Sequence, residues 1–290
     1  MAAAPEPRAF EVERGGSRLR GEVLGDGPAV VLVHGLTATR RYVVHGSKAL
    51  ARSGFAQVSY DARAHGESDP APRGEGYGYE HLSADLASVV ADRTEGPVVL
   101  CGDSLGSHTV ASWALERSGA IAGVVLIRPV SLGLPTPPES LAYWDRLADG
   151  LERGGVEGFM AAYEADLSVE QPFADTVLRF TRERMRLHRH PEALADAVRQ
   201  IARSVPFEGT SELESLDLPA LVVASRDEAD PGHPQAVAEA WADTLPRADL
   251  TVEGEGESPL AWQGGRLSRA IADFCETEPV ADRHRPERRR

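Results

Sequence analysis

The sequence predicts a doubly wound, mostly parallel α/β sheet. Short runs of apolar and β-branched residues recur along the chain, and segments with helical spacing separate them. The loops between these segments are short and rich in Gly, Pro and Asp. An alternation of strands and helices needs crossover connections, which place helices on both faces of a parallel sheet.

The first half of the chain supplies most of this pattern. Residues 10–12 and 19–24 alternate loosely around Gly15 and Gly16, which predicts an N-terminal antiparallel hairpin. The run AVVLV at 29–33 suits a strand that is covered on both faces. The remaining predictions here are helices at 40–52, at 80–92 and directly after Ser104, and strands at 55–60, 98–100 and 124–127.

The alternation stops at Arg128. Between residues 134 and 218 only helix-like segments occur, at 139–153, 156–166, 173–188 and 191–205, and this stretch is too long for a plain loop. Strand patterns resume at 220–224 and 249–253, with helices at 234–245 and 265–275. We therefore predict an α/β core at 1–133 and 219–276, a helical insertion at 134–218, and a charged, disordered tail at 277–290.

Composition limits the classes of partner. The net charge of −14 disfavours nucleic acid and anionic membrane surfaces, and no apolar run has the length of a membrane span. The N-terminus lacks the pattern of a signal peptide, and Cys101 and Cys275 lie in apolar segments, so we expect a cytoplasmic protein with buried, reduced thiols. No metal or organic cofactor is expected, and the expected partner is a small-molecule substrate. The oligomeric state stays open.

One motif organises the site. The stretch Gly102-Asp103-Ser104-Leu105-Gly106 follows an apolar run and precedes a helix-like segment. This G-x-S-x-G order is what a nucleophile elbow requires, with the serine on a strained strand-to-helix turn and glycines where the backbones close together. The helix N-terminus behind the serine would offer free N–H groups to a developing oxyanion.

Two further stretches follow neighbouring strands. His34-Gly35-Leu36 comes after the strand at 29–33, and a polar loop from Asp61 to residue 69 comes after the strand at 55–60. Since ligands bind at the carboxyl ends of strands in open α/β sheets, all three stretches are expected at one edge. In this order and spacing they resemble the α/β-hydrolase superfamily over nearly the whole chain, and the helical insertion lies where such enzymes carry a cap domain.

The resemblance implies a role for each motif residue. Ser104 would be the nucleophile, and the backbone N–H groups of Leu36 and Leu105 would form the oxyanion hole. Structural roles in the two neighbouring loops are implied for His34, Gly35, Asp61, Arg63, His65 and Ser68. The acid would follow the strand at 220–224, where Asp230 fits the D-P-x-x-P pattern and Asp227 stays an alternative.

The expected base is missing from its usual place. The family carries a histidine in a G-x-G-H-S-P context after the last strand, but this chain reads Gly254-Glu255-Gly256-Glu257-Ser258-Pro259. Glu257 therefore stands where the imidazole is expected, and a carboxylate is a weaker base at neutral pH. His233 is a substitute base on the acid's own loop, with a loop histidine that caps the next helix as the alternative. A different fold of the loop after Val252, bringing in another histidine, also stays open.

Other aromatic and histidine side chains could border the pocket or fill the core. We expect His108 to pack beneath the elbow, and the sequence does not separate the two readings for the rest, namely His45, His65, His81, Tyr42, Tyr143 and Trp144. Three functions remain: a serine hydrolase of a small ester, thioester or lactone with Glu257 or His233 as base; a non-hydrolytic lyase, isomerase or cyclase with Glu257 as proton shuttle; and an inactive ligand-binding protein.

Overall fold

The computed structural model describes residues 5–73, 75–169 and 173–285. In this part of the chain one sheet is formed by eight strands: β1 (Arg8–Arg14), β2 (Ser17–Leu24), β3 (Ala29–Val33), β4 (Ala56–Tyr60), β5 (Val98–Asp103), β6 (Ile121–Ile127), β7 (Ala220–Ala224) and β8 (Ala248–Val252). Their order across the sheet is β1-β2-β4-β3-β5-β6-β7-β8.

Only the N-terminal hairpin departs from parallel pairing. Strands β1 and β2 pair antiparallel with each other, and β2 pairs antiparallel with β4. Every other neighbouring pair is parallel. Strands β3, β5, β6 and β7 are buried at every residue, which explains their continuous apolar runs. The predicted fold class is confirmed.

Helices cover both faces of the sheet. In the described ranges the helices of the chain are α1 (Ala49–Arg52), α2 (Tyr79–Arg93), α3 (Leu105–Arg117), α4 (Pro138–Ala165), α5 (Phe173–Met185), α6 (Pro191–Arg203), α7 (Gln235–Thr244), α8 (Gly264–Glu276) and α9 (Glu278–His284). Apolar side chains of α2, α3 and α7 pack on one face, and those of α1, α8 and α9 pack on the other. Both cysteines are buried and unbridged, in β5 and α8.

Two predicted elements differ from the structure. The helix expected at 40–52 is a 3-10 turn at Arg40–Tyr42 followed by the short α1, because His45 (φ 48°) and Gly46 (φ 72°) have left-handed backbone between them. The tail expected to be disordered from residue 277 begins with α9. Its His284 is buried, stacks on Phe55, and places Nε2 2.8 Å from the backbone oxygen of Ala29. Residues 286–290 lie outside the described residues.

Helices α4, α5 and α6 lie between β6 and β7. The chain of α4 folds back at Gly155 (φ 58°, ψ −145°), so that it forms the two helices predicted at 139–153 and 156–166. The two arms touch through backbone: a Cβ on Gly158 would lie 2.1 Å from the oxygen of Gly150, and one on Gly150 would lie 2.5 Å from the oxygen of Gly158. These arms pack with α5 and α6 around a small apolar core of their own.

One histidine joins this helical unit to the sheet. His188, after α5, accepts a hydrogen bond at Nδ1 from the N–H of Gly66 (2.8 Å) and donates from Nε2 to the oxygen of Thr37 (3.1 Å). The unit is thereby held over the carboxyl edge of β3 and β4. No helix within the described ranges is both long and apolar enough to cross a bilayer.

Candidate active site

The turn between β5 and α3 places Ser104 at the carboxyl edge of the sheet. Its backbone has φ 55° and ψ −116°, a strained conformation for a residue with a side chain. The turn is tight, because a Cβ on Gly102 would lie 2.2 Å from the oxygen of Gly106, and one on Gly106 would lie 2.0 Å from the oxygen of Val33. The N–H of Ser104 donates to the oxygen of Ile127 (2.8 Å), which fixes the turn against β6.

A chain of hydrogen bonds leads from Ser104 into the loop after β7. Nε2 of His233 lies 3.0 Å from Oγ of Ser104, and Nδ1 of His233 lies 2.8 Å from Oδ1 of Asp230. An ionised carboxylate only accepts hydrogen bonds, so Nδ1 carries the proton and the lone pair of Nε2 is free for the serine hydroxyl. Hydroxyl, imidazole and carboxylate are thus joined in series.

Local geometry of the β7 loop brings the imidazole and carboxylate together. The N–H of His233 donates to the oxygen of Asp230 (3.0 Å), so the stretch through Pro231 and Gly232 is a tight turn. Asp227, the alternative acid, is occupied elsewhere: its Oδ1 accepts the N–H of Gln235 (2.8 Å) at the start of α7. The buried carboxylate of Glu253, after β8, braces the loop by accepting the N–H of Arg226 (2.7 Å).

Arg128, directly after β6, connects this loop to the elbow. Its guanidinium donates to both carboxylate oxygens of Asp103 (3.0 and 2.8 Å) and to Oδ2 of Asp230 (2.7 Å). Its backbone is left-handed (φ 49°), and its side chain is 13% exposed. Arg128 therefore links Asp103, which precedes Ser104, to Asp230, which contacts the imidazole of His233.

These contacts set the charge of Asp230. Burial by itself would raise the pKa of this carboxyl, but the attraction of His233 and Arg128 outweighs it and holds the pKa well below its ordinary value. Burial would likewise lower the pKa of the Arg128 guanidinium, and the two carboxylates raise it instead. Asp230 is therefore ionised at neutral pH and cannot take the proton of His233.

The two expected oxyanion donors lie on either side of Ser104. Leu105 is the first residue of α3, and a first-turn N–H has no partner within its helix. Gly35 packs on Ser104, since a Cβ on Gly35 would lie 3.2 Å from Cβ of Ser104, and Leu36 follows Gly35 in the chain. His34 shapes this loop: Nδ1 donates to the oxygen of Gly35 (2.8 Å), while Nε2 accepts the N–H of Ala62 (2.9 Å).

The loop after β4 is held by its own polar contacts and does not border the cavity described below. Asp61 accepts the backbone N–H groups of Arg40 (2.8 Å) and Glu67 (3.0 Å). Arg63 makes two hydrogen bonds to Asp85, each 2.7 Å long. The other two residues of the motif, Ser68 and His65, bond to backbone oxygens at 2.6 and 2.9 Å.

The structure corrects the predicted position of Glu257. Its side chain is exposed and accepts the N–H of Gly254 (3.3 Å) within its own loop. The position opposite Ser104 is taken by His233 instead. The loop after β8 therefore matches the G-x-G-H-S-P motif in sequence, but its residue 257 does not contact Ser104.

The other histidines fall into the core or away from Ser104. His108 is buried beneath the elbow against Trp241, and its Nε2 accepts the N–H of Val130 (3.1 Å). His45 contacts Tyr42 and Phe180. His81 lies beside the loop after β4, where its Nε2 accepts the N–H of Gly76 (3.1 Å).

A cavity of about 780 Å³ lies between Ser104 and the helical insertion. The three hydrogen-bonded residues, Leu36 and Leu105 border it from the sheet. Apolar and aromatic side chains form most of its upper wall, and they include Leu132, Leu134, Tyr143, Trp144, Leu147, Phe159, Tyr163 and Val177. The site can therefore hold a small, largely apolar molecule against the serine hydroxyl.

Sequence reasoning missed two arginines that border this cavity, Arg128 and Arg184. Arg128 had a detectable signal, because it directly follows a strand of the sheet and so lies at the same edge as Ser104. Arg184 lies on α5 and had none. In the described ranges, no group of three or more His, Cys, Asp or Glu side chains is arranged to hold a metal ion.

Comparison with known proteins agrees with this architecture. A family model for serine aminopeptidases (S33) matches residues 27–152. A thermophilic esterase from Thermogutta terrifontis has a TM-score of 0.76 and is 26% identical, with 96% of this chain and 99% of that chain covered. The enol-lactonase from Burkholderia xenovorans LB400 has a TM-score of 0.74 at 21% identity, with 91% and 99% covered.

A curated relative extends the likeness along most of the sequence. The non-heme chloroperoxidase CPO-A1 from Kitasatospora aureofaciens is 25% identical over 272 residues, which are 87% of this chain and 92% of that protein. Fold, family model and relatives together place the chain in the α/β-hydrolase fold superfamily.

Proposed function

We propose that this protein is a serine hydrolase that acts on a small carboxylic ester, thioester or lactone. Ser104 is the nucleophile, His233 the general base and acid, and Asp230 the carboxylate that orients the imidazole. The unbroken series of hydrogen bonds from Ser104 to Asp230 carries the proposal, because it is the arrangement that activates a serine hydroxyl.

Acylation begins with attack of the Ser104 oxygen on the substrate carbonyl carbon. Nε2 of His233 takes the hydroxyl proton as the new C–O bond forms, and the carbonyl electron pair moves onto its oxygen. Collapse of this tetrahedral intermediate expels the alcohol or thiol, which receives the proton from Nε2. In a lactone the leaving oxygen stays attached to the acyl chain.

Deacylation repeats these steps with water. Water attacks the acyl carbon and gives a proton to Nε2, and Ser104 then leaves and regains that proton. The products are a carboxylic acid and a free enzyme in its starting protonation state. Asp230, kept ionised by His233 and Arg128, stabilises the imidazolium in both halves of the reaction.

The backbone N–H groups of Leu36 and Leu105 are the proposed donors to the oxyanion. Both residues border the cavity beside Ser104. Donors of this kind act on charge that develops only in the transition state, and removal of one such group from a serine protease costs about 10²–10³ in kcat. The esterase relative is consistent with the same reaction type.

Hydrolysis is preferred over the non-hydrolytic alternative for one reason. A lyase, isomerase or cyclase reaction was expected to use Glu257 as a proton shuttle, and that carboxylate lies in its own exposed loop. An inactive binding protein would have no need for an imidazole in hydrogen-bond contact with the serine hydroxyl.

Covalent labelling tests the proposal directly. We expect a fluorophosphonate probe to add one equivalent to the native protein, measured by intact mass, and peptide mapping to locate the adduct on Ser104. Ser104→Ala should not react, and His233→Gln should react far more slowly. Glu257→Gln is the matched control and should react like the native protein. Absence of labelling under conditions that label a control esterase would exclude an activated serine.

A further inference from the structure

The last turn of α5 directs a second arginine to the cavity. Arg184 borders the same space as Ser104 and His233, but it belongs to the helical insertion rather than to the sheet. Its Nε is buried and has no hydrogen-bond partner. Within residues 5–73, 75–169 and 173–285, its guanidinium forms neither a hydrogen bond nor an ion pair.

A partly buried guanidinium whose Nε is shielded from water and makes no hydrogen bond is unusual on physical grounds. Moving a charge out of water is costly unless an opposite charge or hydrogen-bond acceptors compensate for it. The other arginine at this cavity shows the ordinary solution, since Arg128 is matched by Asp103 and Asp230. Arg184 has five N–H donors, and no residue in the described ranges supplies an acceptor for them.

No carboxylate among the described residues that border the cavity pairs with Arg184. Asp103 and Asp230 face Arg128, and Asp166 accepts from Arg146 at 2.6 and 3.1 Å. Glu139, which completes the acidic residues bordering the cavity in the described ranges, is exposed at the start of α4. The charge of Arg184 is therefore available to a molecule inside the cavity.

The surroundings of Arg184 fit a ligand that is apolar except at one end. Tyr143, Trp144 and Phe159 line the cavity from the neighbouring helix. Burial raises the pKa of the Tyr143 hydroxyl, and the positive charge of Arg184 acts in the opposite direction, so its field reaches this aromatic wall. One guanidinium neutralises one negative charge and matches a planar carboxylate with two parallel hydrogen bonds.

We propose that Arg184 binds a carboxylate of the substrate, so that the preferred substrates are acid-bearing esters such as monoesters of dicarboxylic acids. This inference rests on the proposed function, because it assigns the substrate class of the same site. Ser104 would attack the ester carbonyl at the sheet edge while Arg184 holds the distant carboxylate under the insertion.

A pair of substrates that differ only in this charge tests the inference. 4-Nitrophenyl hydrogen adipate carries a carboxylate at the far end of its six-carbon acyl chain, and 4-nitrophenyl hexanoate carries a methyl group there. We expect Arg184→Gln to lower kcat/KM for the adipate ester about 10- to 100-fold and to change that for the hexanoate less than about threefold. Arg184→Lys, which keeps the charge, should retain part of the preference.

Arg179→Gln is the matched control, because Arg179 is an exposed arginine of the same helix that pairs with Glu183. It should leave the adipate-to-hexanoate ratio at the native value. An equal loss for both esters in Arg184→Gln, or no loss for either, would overturn the inference while leaving the hydrolase intact. Thermal unfolding checks that each variant is folded.

Equilibrium binding separates this inference from the proposed reaction. Calorimetric titration of Ser104→Ala with adipate needs no turnover, and we expect binding that weakens about 10- to 100-fold when Arg184→Gln is added. If native protein hydrolyses no ester but this difference appears, the anion site stands and the hydrolase proposal fails. Equal binding in both backgrounds, or none, overturns the anion site.

Discussion

Nδ1 of His233 lies 2.8 Å from Oδ1 of Asp230, and the two residues are three positions apart on one loop. The family that the sequence resembles takes its base from the loop after the last strand, so acid and base come from different strands there. Here both belong to the loop after β7, and the tight turn through Pro231 and Gly232 sets their spacing. In the proposed mechanism, this single loop therefore determines whether Ser104 can be activated.

The first prediction concerns which residue is the base. His233→Gln removes the group that accepts the Ser104 proton, and we expect kcat for 4-nitrophenyl hexanoate to fall about 10⁴- to 10⁶-fold. Glu257→Gln should change kcat less than about twofold, because that side chain contacts its own loop. Comparable losses in the two variants would contradict the assignment of His233.

The second prediction separates the two candidate acids. Asp230→Asn allows the imidazole to adopt the wrong tautomer, and by analogy with serine proteases kcat should fall about 10⁴-fold. Asp227→Ala, which removes the side-chain acceptor that asparagine would keep, should preserve kcat. Because Asp227 accepts the first N–H of α7, its loss should instead lower the unfolding free energy by about 0.5–2 kcal/mol, measured by urea denaturation. The opposite pattern would make Asp227 the acid.

The third prediction concerns the charge balance around Arg128. Replacing Arg128 with Met leaves Asp103 and Asp230 without their shared cation, and breaking such a buried pair costs about 3–5 kcal/mol of unfolding free energy. Asp103→Asn in the same chain removes one of the two orphaned charges. The double variant should therefore be more stable than Arg128→Met alone, and strictly additive losses would refute this account.

The fourth prediction is a loss of stability in mild acid. Burial lowers the pKa of His65 and of His188 to about 3 and that of His34 to about 4. Below the ordinary histidine pKa of about 6.5, these three imidazoles bind protons in the unfolded chain but stay neutral in the folded protein. Stability should therefore be complete above about pH 6.5 and fall as the pH decreases toward 4.

His65→Asn isolates one of these groups. The amide can replace Nδ1 as donor to the oxygen of Arg63, and the variant lacks one titrating imidazole. Between pH 6 and 5 the slope of unfolding free energy against pH should decrease by up to about 1.4 kcal/mol per unit relative to the native protein. Urea denaturation at each pH measures the slope, with pH 8 as the reference. An unchanged slope would show that His65 binds its proton equally in the folded and unfolded states, which would contradict the lowered pKa.

Most of the fold was predictable because its determinants are local and periodic. The buried strands β3 and β7 are continuous apolar runs, and the glycines beside Ser104 mark a turn that no larger residue permits. The prediction of a continuous helix at 40–52 was wrong because the left-handed backbone at His45 has no strong sequence signal. The prediction of disorder from residue 277 was wrong for α9, because the burial of His284 against Phe55 is a long-range contact that sequence patterns do not show.

The site was less predictable than the fold for a related reason. The frame around Glu257 fits a linear motif, yet the position facing Ser104 depends on how two loops turn in space. His233 was predicted as a substitute base, and the tight turn between Asp230 and His233 is a local feature that favours this role. Arg184 lies on a helix whose placement over the sheet depends on tertiary packing, so its position beside the cavity was not visible from its neighbours in sequence.

The contact between Gly150 and Gly158 affects the size of the molecule that the cavity above Ser104 can admit. The two arms of α4 approach each other only because both positions lack a side chain, and both arms contribute residues to the roof above Ser104. A single methyl group at either glycine must push the arms apart, since the backbone oxygen opposite cannot yield. Acyl-chain preference could thus be altered by a residue that never touches the acyl chain.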